Sequence, residues 1–198
     1  MFPGVFTTAD YIIVRVTWFR KTQAAEPLPV TMAGVKLGDR FLAVGVRDPG
    51  LIAVLAARAG LTGTACAIDA DEGAVTKAAA AIERDGVLAE LTRAPWGMWP
   101  YGDASFDVAL VRDLLPTLTS DSRTRCVSEL LRVLRPGGRT VVIEPAPRGG
   151  FGALLTRHPA ADPQYRGAVK TLQDEGFAAV RQLAERDGVL YVEGIKKT

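Results

Sequence analysis

Residues 129–138 read Glu-Leu-Leu-Arg-Val-Leu-Arg-Pro-Gly-Gly, and residues 140–145 read Thr-Val-Val-Ile-Glu-Pro. The leucines stand at helical spacing, which predicts a helix that opens at Ser120 or Asp121. Pro136-Gly137-Gly138 predicts the end of that helix, because proline cannot continue it and glycine suits the turn that follows. The β-branched run after the glycines predicts a strand that ends at Glu-Pro.

The same alternation of strand and helix extends through the chain from residue 37. Apolar runs predict strands over residues 41–44, 64–68, 87–91, 106–111 and 140–143, and Ala-rich segments predict helices over residues 51–59 and 71–84. The run 106–111 is apolar on both faces, as a buried parallel strand should be. This rhythm implies a parallel sheet with helices on both faces, whose ligand crevice lies at the carboxyl ends of the strands.

The last thirty-five residues follow a different pattern. Gln164–Glu175 predicts a helix that ends at Gly176, and two strand-like runs follow over residues 177–184 and 189–195. Only four residues separate these runs, which suits an antiparallel hairpin. The predicted fold class is therefore α/β, with a doubly wound, mostly parallel seven-stranded sheet and a C-terminal antiparallel hairpin.

Composition narrows the classes of function. The chain has 198 residues, 48% of them hydrophobic, and a formal net charge of +2, which favours one globular domain and gives no reason to expect a nucleic acid partner. His158 is the one histidine, and Cys66 and Cys126 are the two cysteines, so no metal site is expected. The scattered cysteines fit a reducing compartment, and we expect a cytoplasmic protein. The apolar stretch Tyr11–Phe19 is too short to span a bilayer, so no membrane span is expected.

Four segments together resemble the class I S-adenosylmethionine-dependent methyltransferases, particularly their small-molecule branch. They are residues 129–145, residues 101–110 (Tyr-Gly-Asp-Ala-Ser-Phe-Asp-Val-Ala-Leu), residues 67–70 (Ala-Ile-Asp-Ala) and the closing Gly176-Phe177 with its hairpin. The resemblance implies a Rossmann-like methyltransferase domain over residues 31–198 and an N-terminal arm or lid over residues 1–30. It also implies S-adenosylmethionine as cofactor and a small-molecule substrate.

The resemblance further implies where the cofactor binds. In this family a glycine-containing loop follows the first strand, an acid at the end of the second strand accepts the ribose hydroxyls, and a residue after the third strand faces the adenine. The matching positions in this chain are Gly45, Val46, Arg47, Asp69, Ala70 and Trp96. Trp99 is expected to be a core residue.

Three positions depart from the family pattern. An acid is replaced by Ala43, the second glycine by Arg47, and the adenine-binding acid by Pro95. Asp48 and Glu144 are candidate replacement acids. The sequence therefore predicts either a small-molecule methyltransferase with a divergent cofactor loop or a non-catalytic relative that works as a binding or assembly protein. A nicotinamide-dependent oxidoreductase is disfavoured, because its glycine-rich fingerprint is absent.

No catalytic residue is assigned from the sequence. Methyl transfer from a sulfonium is an in-line displacement that depends mainly on positioning, so a shortage of histidine does not exclude it. His158 is either a general base or a solvated loop residue. Arg47, Arg112 and Arg148 form either a basic rim for a carboxylate or phosphate or three separate surface arginines.

The N-terminal arm, residues 1–30, has three interpretations. The run Ile12-Ile13-Val14 favours a strand, and the aromatic side chains near it suit a lid over the substrate, a homodimer contact or a docked structural arm. The sequence does not choose between them.

Overall fold

A computed structural model describes residues 26–146 and 162–198. Its elements, in chain order, are α1 (Leu28–Ala33), β1 (Arg40–Val44), α2 (Pro49–Ala59), β2 (Thr64–Asp69), α3 (Glu72–Arg84), β3 (Glu90–Arg93), β4 (Phe106–Arg112), a 3₁₀ turn (Leu115–Thr117), α4 (Ser120–Val133), β5 (Leu134–Pro145), α5 (Ala168–Asp174), β6 (Ala178–Arg186) and β7 (Val189–Ile195). Within these described ranges, none of the helices has the length and apolar character needed to cross a membrane.

The seven strands form one sheet in the order β3-β2-β1-β4-β5-β7-β6. The first five strands in this order pair in parallel, and β7 pairs antiparallel with both β5 and β6. This confirms the predicted Rossmann-like fold and its C-terminal hairpin. The order reverses between β1 and β4, and in open α/β sheets ligands bind at such a switch point.

Apolar side chains cover both faces of the sheet. Alternate residues of β1 pack into opposite layers, with Leu42 and Val44 in one and Phe41 and Ala43 in the other. The burial of both faces explains why the central strands are continuous apolar runs. Three helices begin at side-chain caps, as Asp48, Asp71 and Thr119 accept backbone N–H groups at the starts of α2, α3 and α4.

The segment Pro136-Gly137-Gly138 is not the turn that stops α4. The helix ends at Val133, and Leu134 already pairs with Phe106 in the β4–β5 ladder. The next pair in this ladder involves Arg139, so the intervening residues bulge out, with the first glycine at φ 71°. The bulge keeps the chain within β5 directly after the helix.

Two other predicted boundaries were wrong. The strand predicted over residues 87–91 begins later, as β3 (Glu90–Arg93). Gly86 adopts φ 69°, and the chain makes a turn against the end of α3 before the strand begins. The helix predicted over residues 164–175 is the shorter α5. Tyr165 donates its backbone N–H to the Asp162 carbonyl at 3.0 Å, and this turn together with Gly167 at φ 92° delays the helix until Ala168.

Helix α1 runs across residue 30, where the sequence places the boundary between arm and domain. Val30 is buried, and Arg139 on β5 donates hydrogen bonds to the carbonyls of Met32 and Ala33. The packed body therefore includes α1. Residues 1–25 lie outside the described ranges, so the arm itself stays a prediction.

Candidate functional site

The loops after β1, β2 and β4 meet at the switch point of the sheet. Gly45 follows β1 directly and adopts φ 87°, a conformation that favours glycine. Its N–H donates to the Ile68 carbonyl at 2.7 Å, and a Cβ at this position would contact the Leu114 side chain at 3.5 Å. The turn at this glycine therefore lies against the end of β2 and against the Leu114 side chain, two residues after β4.

Asp69 ends β2 and faces this loop. Its Oδ2 accepts the backbone N–H of Val46 at 3.1 Å, and its Oδ1 accepts that of Asp71 at 3.0 Å. The side chain is nearly buried, and each carboxylate oxygen keeps a lone pair for a further donor. The structure therefore brings Gly45, Val46 and Asp69 together, with the half-buried Ala70 beside them.

Arg47 does not fill the crevice. Its side chain is exposed, and Nη2 donates to Thr117 Oγ1 at 3.3 Å, in the 3₁₀ turn after β4. The guanidinium therefore joins the loop after β1 to the 3₁₀ turn after β4 at the protein surface. An arginine at the second glycine position is accommodated because it extends away from the backbone turn.

Ala43, which stands where the family has an acid, borders only a small cavity in the described part of the chain. Ala43 is buried in the layer that packs on α2, and a cavity of only about 10 Å³ lies beside it, lined by Ala43, Gly45, Asp48, Leu51, Ile52, Leu110 and Arg112. Asp48 and Arg112 form an ion pair over this space, with Nη1 and Oδ2 separated by 2.6 Å. Of the two candidate replacement acids, Asp48 therefore lies at this site.

The segment after β3 lies next to Asp69. The N–H of Ala94 donates to the Asp69 carbonyl at 3.0 Å, Pro95 is exposed, and Trp96 is half-buried against the core. Trp96 thus lies two residues from a direct contact with the Asp69 backbone. Trp99 is buried in the core, as predicted, and its indole N–H has no partner within the described residues.

Glu144, the other candidate acid, belongs to a network that the sequence did not reveal. It accepts a hydrogen bond from the Tyr165 hydroxyl at Oε2 and one from the Ala168 N–H at Oε1, 3.0 Å away. Burial raises the pKa of Glu144, and these two hydrogen bonds act against that rise. Arg123 stacks on the Tyr165 ring at 4.7 Å and pairs with Asp162 at 2.5 Å. The network attaches the segment before α5 to the end of β5, and no local sequence pattern marks it.

Two residues considered from the sequence cannot be placed. Arg148 and His158 lie outside the described ranges. Of the proposed basic rim, Arg47 follows β1 and Arg112 ends β4. Each is engaged by a neighbour, Thr117 and Asp48 respectively.

The arrangement fits the cofactor that the resemblance implies. Asp69 presents a nearly buried carboxylate beside the backbone turn at Gly45, and its oxygens can accept hydroxyl donors. Asp48 and Arg112 supply one negative and one positive group at the small cavity beside Ala43. Such a pair of charges suits the amino acid part of S-adenosylmethionine. Pro95 supplies no acid for the adenine, so Trp96 is the side chain available there.

Comparison with known proteins agrees with this fit. The methyltransferase domain family matches residues 42–142, half of the chain. A ubiquinone/menaquinone biosynthesis C-methyltransferase from Chromobacterium violaceum is 29% identical over 115 residues, which are 58% of this chain and 46% of that protein. The chain spans less than half the length of the curated relatives it matches.

Two solved structures illustrate the range of the fold. A S-adenosylmethionine-dependent methyltransferase from Aquifex aeolicus superposes with a TM-score of 0.69 at 21% identity, covering 84% of this chain and 86% of its own. The [4+2]-cyclase SpnF superposes with a TM-score of 0.65 at 18% identity, covering 86% and 80%. These likenesses concern the fold. The match of the family model to half of the chain shows that the chain belongs to the methyltransferase domain family.

Proposed function

We propose that this chain is an S-adenosylmethionine-dependent methyltransferase with a divergent cofactor loop that acts on a small molecule. The observation that carries the proposal is the position of Asp69. Its carboxylate is fixed by the backbone N–H groups of Val46 and Asp71, at the end of β2 and beside the Gly45 turn. A fixed, nearly buried carboxylate at a switch point suits two hydroxyl donors on a ribose.

In this proposal the residues of the chain bind and orient the cofactor. Asp69 accepts the ribose hydroxyls, the backbone at Gly45 and Val46 lies along the cofactor, and Ala70 and Trp96 contact the adenine. The cofactor, when bound, supplies an electrophilic methyl group on a sulfonium. In-line displacement requires alignment and exclusion of water, and a base only where the acceptor must lose a proton.

The substrate class rests on two arguments. The Chromobacterium relative is named for a step in quinone biosynthesis, in which a small molecule is methylated. In addition, the chain has nearly balanced charge, with 24 basic and 22 acidic residues, which does not favour a nucleic acid acceptor.

Calorimetric titration with S-adenosylhomocysteine tests the proposal. We expect the wild-type chain to bind and Asp69→Asn to bind about ten- to a hundredfold more weakly, because a charge-assisted hydrogen bond contributes about 1.5–3 kcal/mol. Asp121→Asn on the exposed face of α4 is the matched control and should bind like wild type. Thermal unfolding of each variant separates lost affinity from lost structure. No heat at millimolar ligand would contradict the proposal.

A second candidate is a non-catalytic binding or assembly protein. It is favoured by the loss of two acids, at Ala43 and Pro95, and by the small cavity beside Ala43. A [4+2]-cyclase shares this fold, so the fold alone does not determine the reaction. If S-adenosylhomocysteine produces no heat while the chain is folded, this second function is the better one.

The remaining expectations are also proposals. A cytoplasmic location is supported by Cys66 and Cys126, which are both free and buried. A homodimer through residues 1–30 is tested by size-exclusion chromatography of a variant that lacks residues 1–25. An unchanged oligomeric state would count against the arm as the dimer contact.

A further inference from the structure

One free edge of the sheet borders exposed apolar side chains. Strand β3 stands first in the strand order, so no described strand pairs with its outer side. Leu88, two residues before β3, is 80% exposed, and Leu61, after α2, is 91% exposed. Both side chains border the same depression. Contiguous exposed apolar side chains mark interaction surfaces, and an unpaired strand edge is a template for a further strand.

Two depressions meet at the beginning of β3. One, of about 400 Å³, is bounded by the end of α2 and the beginnings of β2 and β3, and its lining includes Leu61 and Glu90. The other, of about 480 Å³, is bounded by the end of α3 and the beginning of β3, and its lining includes Glu83. Leu88 and Ala89 line both depressions. These two depressions and the outer side of β3 together form a surface that we call the β3 groove.

The β3 groove lies near the point where the described chain begins. Glu26 pairs with Arg58 Nη2 in the last turn of α2. Gly60, the C-cap of the same helix, lines the first depression. Phe19 is seven residues before Glu26, and an extended chain spans about 3.3–3.6 Å per residue, so these seven residues reach about 25 Å. Residues up to Phe19 can therefore reach the β3 groove.

Residues 11–19 match the β3 groove in apolar character and in charge. They read Tyr-Ile-Ile-Val-Arg-Val-Thr-Trp-Phe, and β-branched and aromatic residues favour strands. The charged side chains that line the two depressions are both acids, Glu83 and Glu90. This run and the two residues after it contain no acid and three basic residues, Arg15, Arg20 and Lys21. The run therefore supplies both the apolar side chains and the opposite charge that the surface calls for.

The other free edge of the sheet is a poorer partner for a strand. The ladder between β6 and β7 has register shifts between Ala178 and Arg181 and between Gln182 and Ala184. Exposed charged side chains of β6 include Arg181 and Arg186. Bulges and charges on an edge strand oppose the addition of another strand. Of the two free edges, β3 therefore suits the run better.

We propose that residues 11–19 dock in the β3 groove of their own molecule, as a strand beside β3 with apolar side chains in the two depressions. The short link to Glu26 favours the same molecule over a second copy, because a short covalent link gives an effective concentration of about the millimolar range. The two depressions lie at the beginning of β3, whereas Asp69 ends β2 at the crevice. An arm that docks here is a structural arm and not a lid, and the inference does not depend on the proposed function.

Hydrogen exchange of the full chain, followed by mass spectrometry, tests this docking. In wild type, the amides of residues 12–18 should exchange at least about tenfold more slowly than in an isolated peptide of the same sequence. Leu88→Asp places a charge in the β3 groove and should bring these amides to within about threefold of the peptide rate. Met98→Asp, at an exposed methionine outside both depressions, is the matched control and should keep the wild-type protection. Conversely, Ile13→Asp should speed exchange in Glu90–Arg93.

Three outcomes would overturn the proposal. Exchange of residues 12–18 at the peptide rate in wild type would show that the run does not dock. Protection that Leu88→Asp leaves unchanged would assign the run to another surface, such as the crevice. Protection that is lost on about tenfold dilution would assign it to a second copy of the chain. Unchanged exchange of the β1 and β4 amides shows that each variant is folded.

Discussion

Asp107 joins β4 to the start of β1 and to β5, and replacing it with asparagine should destabilise the fold. Its Oδ2 accepts the backbone N–H of Arg40 at 2.8 Å and the Nε of the same residue at 3.1 Å. Its Oδ1 accepts Arg40 Nη2 at 3.2 Å and Arg135 Nε at 2.5 Å. The Asp107 side chain is only 17% exposed, so these contacts are partly shielded from water.

The expected loss follows from these contacts. An asparagine at this position removes the charge and keeps one acceptor oxygen, so about two charge-assisted hydrogen bonds are lost. Each contributes about 1.5–3 kcal/mol, and the exposure of both arginines reduces the effect. We expect the Asp107→Asn variant to lose about 2–3 kcal/mol of unfolding free energy, or about 4–12 °C in Tm for a chain of this size.

The pH dependence provides the sharper test. Burial acts to raise the pKa of Asp107, but hydrogen bonds from Arg40 and Arg135 outweigh it and hold the pKa well below its usual value. A lowered folded-state pKa gives stability that is complete above the unfolded pKa of about 3.9 and is lost as the pH falls below it. The gap between wild type and Asp107→Asn should therefore be constant from pH 5 to 7 and about 1 kcal/mol smaller at pH 3.

Urea unfolding followed by circular dichroism at pH 7 and pH 3 measures this gap. Asp121→Asn, an exposed acid paired at the surface of α4, is the control and should change little at either pH. A gap that is absent at pH 7, or equally large at pH 3, would refute the role assigned to Asp107. The variant should also bind S-adenosylhomocysteine like wild type, because Asp107 lies at the opposite end of β4 from the crevice.

Three further predictions concern other contacts of the fold. Thr119→Ala removes the cap of α4 and should cost about 1 kcal/mol in urea unfolding, whereas Thr119→Ser should cost little. Arg123→Gln removes the partner of Asp162 and should lower the urea midpoint in the same assay; an unchanged midpoint would contradict the role given to this pair. Burial raises the pKa of Cys66 to about 11 and also raises that of Cys126, so at pH 8 a disulfide reagent should label the native chain about a hundredfold more slowly than the chain in urea. Rapid labelling of the native chain would show that these thiols are accessible.

Much of the fold follows from the sequence because its central strands are buried on both faces. The central apolar runs and the four-residue link before Val189 are strong local signals, and the strand Val189–Ile195 matches its prediction at both ends. Boundaries were less predictable where glycine backbone conformation set them. Gly86 and Gly167 adopt positive φ values at turns, and these turns delay β3 and α5.

The candidate site was only partly predictable, because several of its contacts join residues that are far apart in the sequence. Asp69 could be proposed from the sequence because it ends an apolar strand, and it does end β2. The ion pair of Asp48 and Arg112 forms because β1 and β4 are adjacent in the sheet, and this adjacency follows from the strand order. The contact between Glu144 and Tyr165 likewise needs the turn before α5, which no local pattern marks.

In the proposed function, Asp69 holds the ribose of S-adenosylmethionine beside the β1–β4 switch point. A crystal structure of the wild-type chain with S-adenosylhomocysteine measures this directly. We expect both ribose hydroxyls to lie about 2.5–3.0 Å from the Asp69 carboxylate oxygens, with the thioether toward Gly45. A ligand bound elsewhere on the chain, or a crevice that stays empty at millimolar ligand, would contradict it.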